Sequence, residues 1–168
     1  HQSLIDECKL GDQKAQFKIY KLYYKAMYNT SLRIVGDITD AEDIMQESFL
    51  SAFEKIETYS ETVAFGAWLK KIVVNRSLDY VNKKKMIFED IESHYDIAEN
   101  VHYEHVVEDE TSSKVEQVKE AIKKLPEGYR IILSLYLLEG YDHEEIAEIM
   151  KISCNTSRSQ LSRAKQKL

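Results

Sequence analysis

Apolar residues recur every three or four positions along most of this chain, which is the spacing of an amphipathic helix. The first such stretch covers residues 4–35, with a break at Gly11 and a predicted helix cap at Asp12. Only one proline and five glycines interrupt the 168 residues. The pattern therefore predicts an all-α fold.

The helix predicted after Gly36 has two faces of different character. Thr39 and Glu42 are placed to form a capping box at its start. Its apolar stripe comprises Ala41, Ile44, Met45, Phe49, Ala52, Phe53 and Ile56. Its other face, here termed the acidic face, comprises Asp43, Gln46, Glu47, Leu50 and Glu54. This face is either solvated or a docking surface for a basic partner helix, and the spacing leaves both interpretations open.

Residues 59–66 interrupt the helical spacing and are predicted to form a loop. A helix then runs through Trp68 to about Lys85, and residues 63–85 contain six basic side chains and one acidic side chain. Aromatic residues in the loop, together with cations and Asn75 on the helix, are typical of single-stranded DNA binding, because bases stack on rings while cations follow the phosphates. The alternative is a structural tryptophan followed by a solvated lysine tail.

The net charge of −6 is distributed unevenly. Basic and acidic side chains number 13 and 12 in residues 1–85, 1 and 10 in residues 86–116, and 9 and 7 in residues 117–168. The acidity therefore lies in the middle of the chain, where the helical spacing is also lost. We predict two small helical domains, residues 1–88 and 113–168, joined by a flexible acidic linker at residues 89–112.

The sequence predicts no metal, cofactor or catalytic site. His94, His102 and His105 lie in the predicted linker without a full set of metal ligands nearby. Cys8 and Cys154 stand alone in no metal or redox spacing, which suits a reducing cytoplasm. No apolar run is long enough to span a bilayer.

The last stretch, residues 141–168, predicts two helices joined by a tight turn at residues 151–153. Ser153 is placed to cap the second helix. The first helix is rich in acids, whereas the second holds no acid and four bases, namely Arg158, Arg163, Lys165 and Lys167. This distribution favours a helix-turn-helix, in which only the second helix lies against DNA. The alternative is a helical hairpin whose basic end complements its own dipole.

Three stretches in this order resemble the extracytoplasmic-function (ECF) sigma factors, the small two-domain bacterial transcription initiation factors. They are DAEDIMQESFL at residues 40–50, FGAWLKKIVVN at residues 65–75, and LPEGYR at residues 125–130 followed by EEIAEI and the basic helix. The resemblance covers nearly the whole chain except the predicted linker. It implies a protein without catalytic chemistry that binds core RNA polymerase and directs it to promoters through their −10 and −35 elements.

The resemblance also implies roles for individual residues. Contacts to the clamp helices of the polymerase β′ subunit are implied for Asp40, Glu42, Asp43, Gln46, Glu47 and Leu50. Recognition and melting of the −10 element are implied for Tyr59, Phe65, Trp68, Lys71, Asn75 and Arg76. Contacts to the −35 element are implied for Asn155, Thr156, Arg158, Ser159, Gln160 and Arg163. The polymerase β flap and an anti-sigma factor are further partners that the family implies.

Three residues depart from the family's pattern. Lys151 stands in the turn where glycine is frequent, Ser157 where an aliphatic residue is usual, and Gln160 where arginine is frequent. Because glutamine pairs with adenine and arginine with guanine, Gln160 implies a different −35 sequence. Two other functions stay open: a two-lobed regulator that binds duplex DNA without polymerase, and a helical adaptor whose acidic face binds a protein.

Overall fold

The computed structural model describes residues 2–91 and 112–168, and every regular element within these residues is helical. The all-α prediction is confirmed. The chain divides into two compact units, residues 1–82 and 83–168. Within the described residues, no helix combines the length and apolar character needed to cross a bilayer.

The first unit is built from three whole helices, one 3-10 turn and the part of a fourth helix up to residue 82. They are α1 (Gln2–Lys9), α2 (Gln13–Val35), α3 (Ile38–Glu54), the turn Ile56–Thr58 and α4 (Phe65–Ile91). Asp12 caps α2 by accepting hydrogen bonds from the amides of Lys14 and Ala15 at 2.7 and 3.2 Å, as predicted. Gly36 ends α2 in the left-handed conformation, with φ +80°.

The core of this unit lies between α2, α3 and α4. The predicted apolar stripe of α3 is buried except for Phe53, which is half-buried. Phe49 packs edge-on against Tyr20 of α2, with ring centroids 4.9 Å apart. Ser77 of α4 donates a hydrogen bond of 3.0 Å to Ser31 of α2, and both serines are buried. The packing leaves the acidic face of α3 exposed.

Two predicted helix ends in this unit were wrong. The capping box of Thr39 and Glu42 does not form, because Asp37 caps α3 instead and accepts a 2.9 Å hydrogen bond from the Asp40 amide. Only Gly36 and Asp37 connect α2 to α3, so α3 begins two residues earlier than predicted. At the other end, α4 continues to Ile91 rather than ending near Lys85, since no glycine or proline interrupts the chain there.

The second unit contains the remaining helices. They are α5 (Ser112–Lys123), α6 (Glu127–Leu133) with a π-helical turn at Ser134–Leu138, α7 (His143–Met150) and α8 (Cys154–Lys167). Its fully buried side chains include Ile132, Leu133, Leu135 and Ile146. These residues come from α6, the π turn and α7. The nearly continuous apolar run of residues 129–138 predicts a central buried helix, and this helix does form the core.

The predicted central helix changes character at its end. From Ser134 the helix widens into the π turn, where the Glu139 amide bonds to the Ser134 carbonyl at 3.0 Å. Leu137 and Leu138, which the apolar run predicts to be buried, are exposed. Gly140 then takes the left-handed conformation expected of a helix-ending glycine, with φ +79°.

The helix-turn-helix prediction is confirmed. Asp142 and Glu145 form a capping box at the start of α7 that the prediction had not included. Lys151 ends α7 in the left-handed conformation, with φ +56°, which explains why glycine would suit this turn. Ser153 caps α8 as predicted and accepts a 3.0 Å hydrogen bond from the Thr156 amide.

Candidate functional site

The acidic face of α3 is exposed along its whole length. Leu50 lies in its middle and is 65% exposed. Glu42, which precedes the face, is exposed as well. Carboxylates that surround one exposed leucine form a surface suited to a basic helix that also has an apolar contact to offer.

Asp40 is less available than the other predicted polymerase contacts. The Tyr80 hydroxyl on α4 donates a hydrogen bond to its carboxylate. This bond, partial burial and the nearby charges of Asp40, Asp37 and Asp43 raise the pKa of Tyr80 to about 12. Asp40 therefore joins α3 to α4 in addition to any role toward a partner.

Glu47 also reaches α4. Its carboxylate lies 3.1 Å from the Arg76 guanidinium, with 65% of the Glu47 side chain and 40% of the Arg76 side chain exposed. Glu47 is a predicted polymerase contact and Arg76 a predicted −10 contact. The structure therefore brings together two residues that the sequence had assigned to different partners.

The loop before α4 encloses two of the predicted −10 contacts. Tyr59 and Phe65 are only 6% and 5% exposed, and their rings meet edge-on at 5.4 Å. The Tyr59 hydroxyl donates a 2.7 Å hydrogen bond to the Val63 carbonyl. These two side chains pack in the core and shape the loop from inside, and their role at the −10 element stays a prediction. The exposed loop residues are Ser60, Glu61, Thr62, Val63 and Ala64.

Both ends of α1 are joined to the loop at Glu61, a contact that the sequence does not predict. Glu61 has a left-handed backbone with φ +62°. Its carboxylate accepts hydrogen bonds from Lys9 at 3.3 Å and from Gln2 at 2.8 Å. No periodicity reveals this contact, because it joins residues more than fifty positions apart.

The outer face of α4 carries the other predicted −10 residues. Trp68, Lys71 and Asn75 follow one another at intervals of three and four, so they share one side of the helix. Lys71 and Asn75 are exposed, and Trp68 is half-buried against Phe65 at 5.5 Å. Arg76 lies beside this face on the side of α3. A ring next to a cation and an amide can stack on one base and bind its phosphate.

The six predicted −35 residues all avoid the buried side of α8. Asn155, Arg158, Ser159 and Arg163 are exposed, whereas Thr156 and Gln160 are half-buried. The buried side is formed by Ser157, Leu161 and Ala164. The predicted residues therefore form one continuous outer surface at the start and middle of α8, which is the part of a recognition helix that reaches base edges.

Ser157 shows how this chain accommodates a polar residue where an aliphatic one is usual. Its side chain is fully buried, and its hydroxyl lies 2.9 Å from Nδ1 of His143 on α7. The His143 ring stacks on Tyr136 at 4.8 Å, and the Lys165 ammonium lies 5.5 Å from the same tyrosine ring. A hydrogen bond thus joins the two helices of the helix-turn-helix at this point.

Neither unit shows a grouping suited to a metal: residues 2–91 and 112–168 contain no cluster of three or more metal-ligating side chains. The linker histidines His94, His102 and His105 lie outside the described residues. Cys8 and Cys154 are free thiols, and burial is the main cause that raises the pKa of Cys8.

Both units match known sequence families. Residues 19–86 match the family described as Sigma-70 region 2, and residues 115–168 match the family described as Sigma-70, region 4. The first range contains the acidic face, the loop and most of α4, and the second contains the helix-turn-helix. A helical protein with these two regions is a sigma factor of the sigma-70 class.

Relatives that match nearly the whole chain identify the family within the sigma-70 class. The chain is 32% identical to the ECF RNA polymerase sigma-E factor of Haemophilus influenzae, over 98% of this chain and 91% of that protein. It is 31% identical to the ECF RNA polymerase sigma factor SigW of Bacillus subtilis, over 98% and 92% of the two chains. The chain belongs to the ECF sigma factors, a family of transcription initiation factors.

Solved structures share the fold. The sigma factor RpoE of Bartonella quintana, in complex with the anti-sigma factor NepR, has a TM-score of 0.62 at 20% identity, over 89% of this chain and 91% of that chain. CnrH, in complex with the cytosolic domain of CnrY, has a TM-score of 0.54 at 19% identity, over 98% and 91%. At these identities the likeness concerns the fold alone.

Proposed function

We propose that this chain binds core RNA polymerase through α3 and directs it to promoters, with the −10 element bound by the loop and α4 and the −35 element bound by α8. In this proposal, residues 1–88 and 113–168 are the two working domains and residues 89–112 link them. The observation that carries the proposal is the exposed leucine within the acidic face of α3, inside the matched region 2.

The polymerase contact is proposed for Glu42, Asp43, Gln46, Glu47 and Leu50. Their partner is the clamp helices of the β′ subunit, for which a basic surface with an apolar contact would be complementary. Charges at the rim of such an interface speed association and select the partner, while burial of Leu50 supplies affinity. Asp40 contributes mainly by holding α3 against α4.

The −10 contact is proposed for the exposed loop residues together with Trp68, Lys71, Asn75 and Arg76. Tyr59 and Phe65 hold the loop from inside. In this proposal the duplex opens because the chain binds its unpaired bases, and the step needs no catalytic chemistry. Stacking of a base on an aromatic side chain contributes about 1–3 kcal/mol per base.

The −35 contact is proposed for the outer surface of α8, namely Asn155, Thr156, Arg158, Ser159, Gln160 and Arg163. In this proposal Gln160 pairs with adenine. The β flap of polymerase is the proposed neighbour of this second domain. An anti-sigma factor is a proposed regulator, since RpoE of Bartonella quintana, which shares the fold, forms a complex with the anti-sigma factor NepR. We place the activity in the cytoplasm, beside polymerase.

Co-elution with bacterial core RNA polymerase, followed by run-off transcription from a promoter library, tests the proposal. Promoter-specific transcripts that need both the chain and the core enzyme are expected. DNA binding without transcripts would favour the duplex-binding regulator instead. Failure of the chain to join the core enzyme, with no inhibitor present, would contradict the proposal.

Replacement of Leu50 by alanine tests the docking surface. We expect the affinity for core polymerase to fall about 5- to 30-fold, because truncation of a leucine buried at an interface typically costs 1–2 kcal/mol. Leu10→Ala is the matched control, since Leu10 is 88% exposed on the connection between α1 and α2. Fluorescence anisotropy of the labelled chain gives both affinities. Equal losses in the two variants would exclude α3 as the docking helix.

A further inference from the structure

The seam between α3 and α4 joins the two binding surfaces proposed for the first unit. Along it, Asp40 accepts a hydrogen bond from Tyr80, and Glu47 forms the 3.1 Å ion pair with Arg76. The first contact joins an acid to a neutral phenol. The second joins a proposed polymerase contact to a proposed DNA contact, and it uses the charge of both.

We propose that Glu47 is a positioning residue for DNA binding: it holds the Arg76 guanidinium in the free chain and releases it when polymerase engages Glu47. This inference rests on the proposed function of the two surfaces. A basic group on polymerase would compete with Arg76 for the Glu47 carboxylate. Arg76 would then be free to bind a phosphate of the unwound promoter.

The geometry makes such an exchange feasible. Both side chains are substantially exposed, so a partner can reach either without unfolding the unit. Exposed ion pairs are weak, so the pair can open at little cost. Because the ion pair is weak, its loss should change the affinity for DNA or polymerase by a factor of only about two to five.

Linkage requires the coupling to work in both directions. If Glu47 reduces the affinity of Arg76 for DNA, then Arg76 must reduce the affinity of Glu47 for polymerase by the same factor. The proposal therefore predicts that loss of Arg76, a proposed DNA contact, strengthens polymerase binding. A model in which the two surfaces are independent predicts no such gain.

The first experiment measures binding of the free full-length chain to a fluorescein-labelled oligothymidylate of about 20 nucleotides, because phosphate contacts do not depend on sequence. Glu47→Gln should bind two- to fivefold tighter than wild type at low salt. The Glu47→Gln change should give no gain in affinity when it is added to a chain that already carries Arg76→Gln. Glu57→Gln is the control, since it removes the same charge from an exposed site outside both surfaces.

Three results would overturn the pair's role in DNA binding. They are an unchanged affinity in Glu47→Gln, an equal gain in Glu57→Gln, and no binding of the oligonucleotide by any variant. Circular dichroism of each variant verifies that the helices are intact. This arm needs no polymerase, so it decides the role of the pair even if the proposed function fails.

The second experiment measures affinity for core polymerase. Arg76→Gln should bind two- to fivefold tighter than wild type, whereas Lys18→Gln, which removes a positive charge from the exposed side of α2, should not. An unchanged or weaker affinity in Arg76→Gln would overturn the release step. If wild type itself does not bind polymerase, the proposed function fails, and this outcome is distinguishable from failure of the pair.

Discussion

The hydrogen bond between Tyr80 and Asp40 gives Asp40 a structural contact within the first unit. Asp40 lies at the start of α3 among exposed acids, yet its carboxylate accepts a hydrogen bond from the Tyr80 hydroxyl on α4. The bond stabilises the protonated phenol and raises the pKa of Tyr80 from 10.0 to about 12. The contact therefore stabilises the fold only while the phenol keeps its proton.

The sign of the resulting pH dependence follows from the two pKa values. The folded value lies above the unfolded one, so the stabilisation is complete below pH 10 and is lost as the pH rises toward 12. We expect Tyr80→Phe to lower the free energy of unfolding by about 1 kcal/mol at pH 8, the usual contribution of one hydrogen bond. The difference from wild type should shrink above pH 10.

Urea unfolding followed by the fluorescence of Trp68, the sole tryptophan of the chain, measures this difference. Tyr24→Phe is the control, because Tyr24 is an exposed tyrosine on α2. A gap between Tyr80→Phe and wild type that stays constant up to pH 11 would show that the phenol does not titrate as stated.

At the scale of the element, the helices could be predicted because their apolar residues keep the helical spacing throughout. Caps formed by a single suitable side chain, such as Asp12 and Ser153, could be predicted as well. The start of α3 could not, because both Asp37 and Thr39 suit a cap and only the length of the connection decides between them. The π turn at Ser134–Leu138 leaves no trace in the apolar spacing.

The candidate surfaces were predictable to different degrees. The acidic face of α3 follows from spacing, since its residues are those left over by the buried stripe. An aromatic residue in a loop carries no such information, because it serves equally to stack on a base or to hold the loop. Tyr59 and Phe65 are buried and Trp68 is half-buried, and contact of these rings with bases stays a prediction. Contacts between segments far apart in the sequence, such as Glu47 with Arg76, could be identified only from the structure.

The element α1 lies outside the matched region 2 but contacts the loop within it. We expect Lys9→Met to loosen this loop, because the Lys9 ammonium supports the strained Glu61 backbone and also lies 6.0 Å from the Tyr59 ring. Amide hydrogen exchange at residues 60–64 should accelerate by a factor of about two to five, the range of a weak ion pair.

Lys18→Met provides the comparison, since Lys18 is exposed on α2 and the change in side chain is the same. Exchange in the loop should be unaffected by it. If Lys9→Met leaves the loop amides at their wild-type rates, α1 does not support the loop through this contact.

At the scale of the whole molecule, net charge gives little information about the partner. The chain carries −6, yet the second unit's recognition helix holds four bases and no acid. Phosphates lie within a few ångströms of the contacting helix, and acids further away than about 10 Å are screened at ordinary salt. For the proposed DNA binding, the charge of α8 itself therefore matters more than the net charge of the chain.

In the proposed function both domains bind one promoter, so a change in either domain affects binding of the whole complex. We expect Arg158→Ala to weaken promoter binding by the polymerase complex about 5- to 150-fold at promoters with the matching −35 base, since a bidentate base contact is worth 1–3 kcal/mol. The loss should be small at promoters without that base. Because the −10 contact still holds the complex on the DNA, a strong −10 element should mask part of the loss in transcript yield.

Competition between matched promoter fragments that differ only in the −35 element separates two roles for Arg158. A base contact gives a loss that depends on the −35 sequence. A phosphate contact gives the same loss on every fragment and lowers the salt dependence of binding by about one unit, and this result would contradict the prediction. Lys124→Ala, an exposed charge outside α8, should change neither quantity, so that any loss in Arg158→Ala belongs to the recognition helix rather than to the charge of the unit.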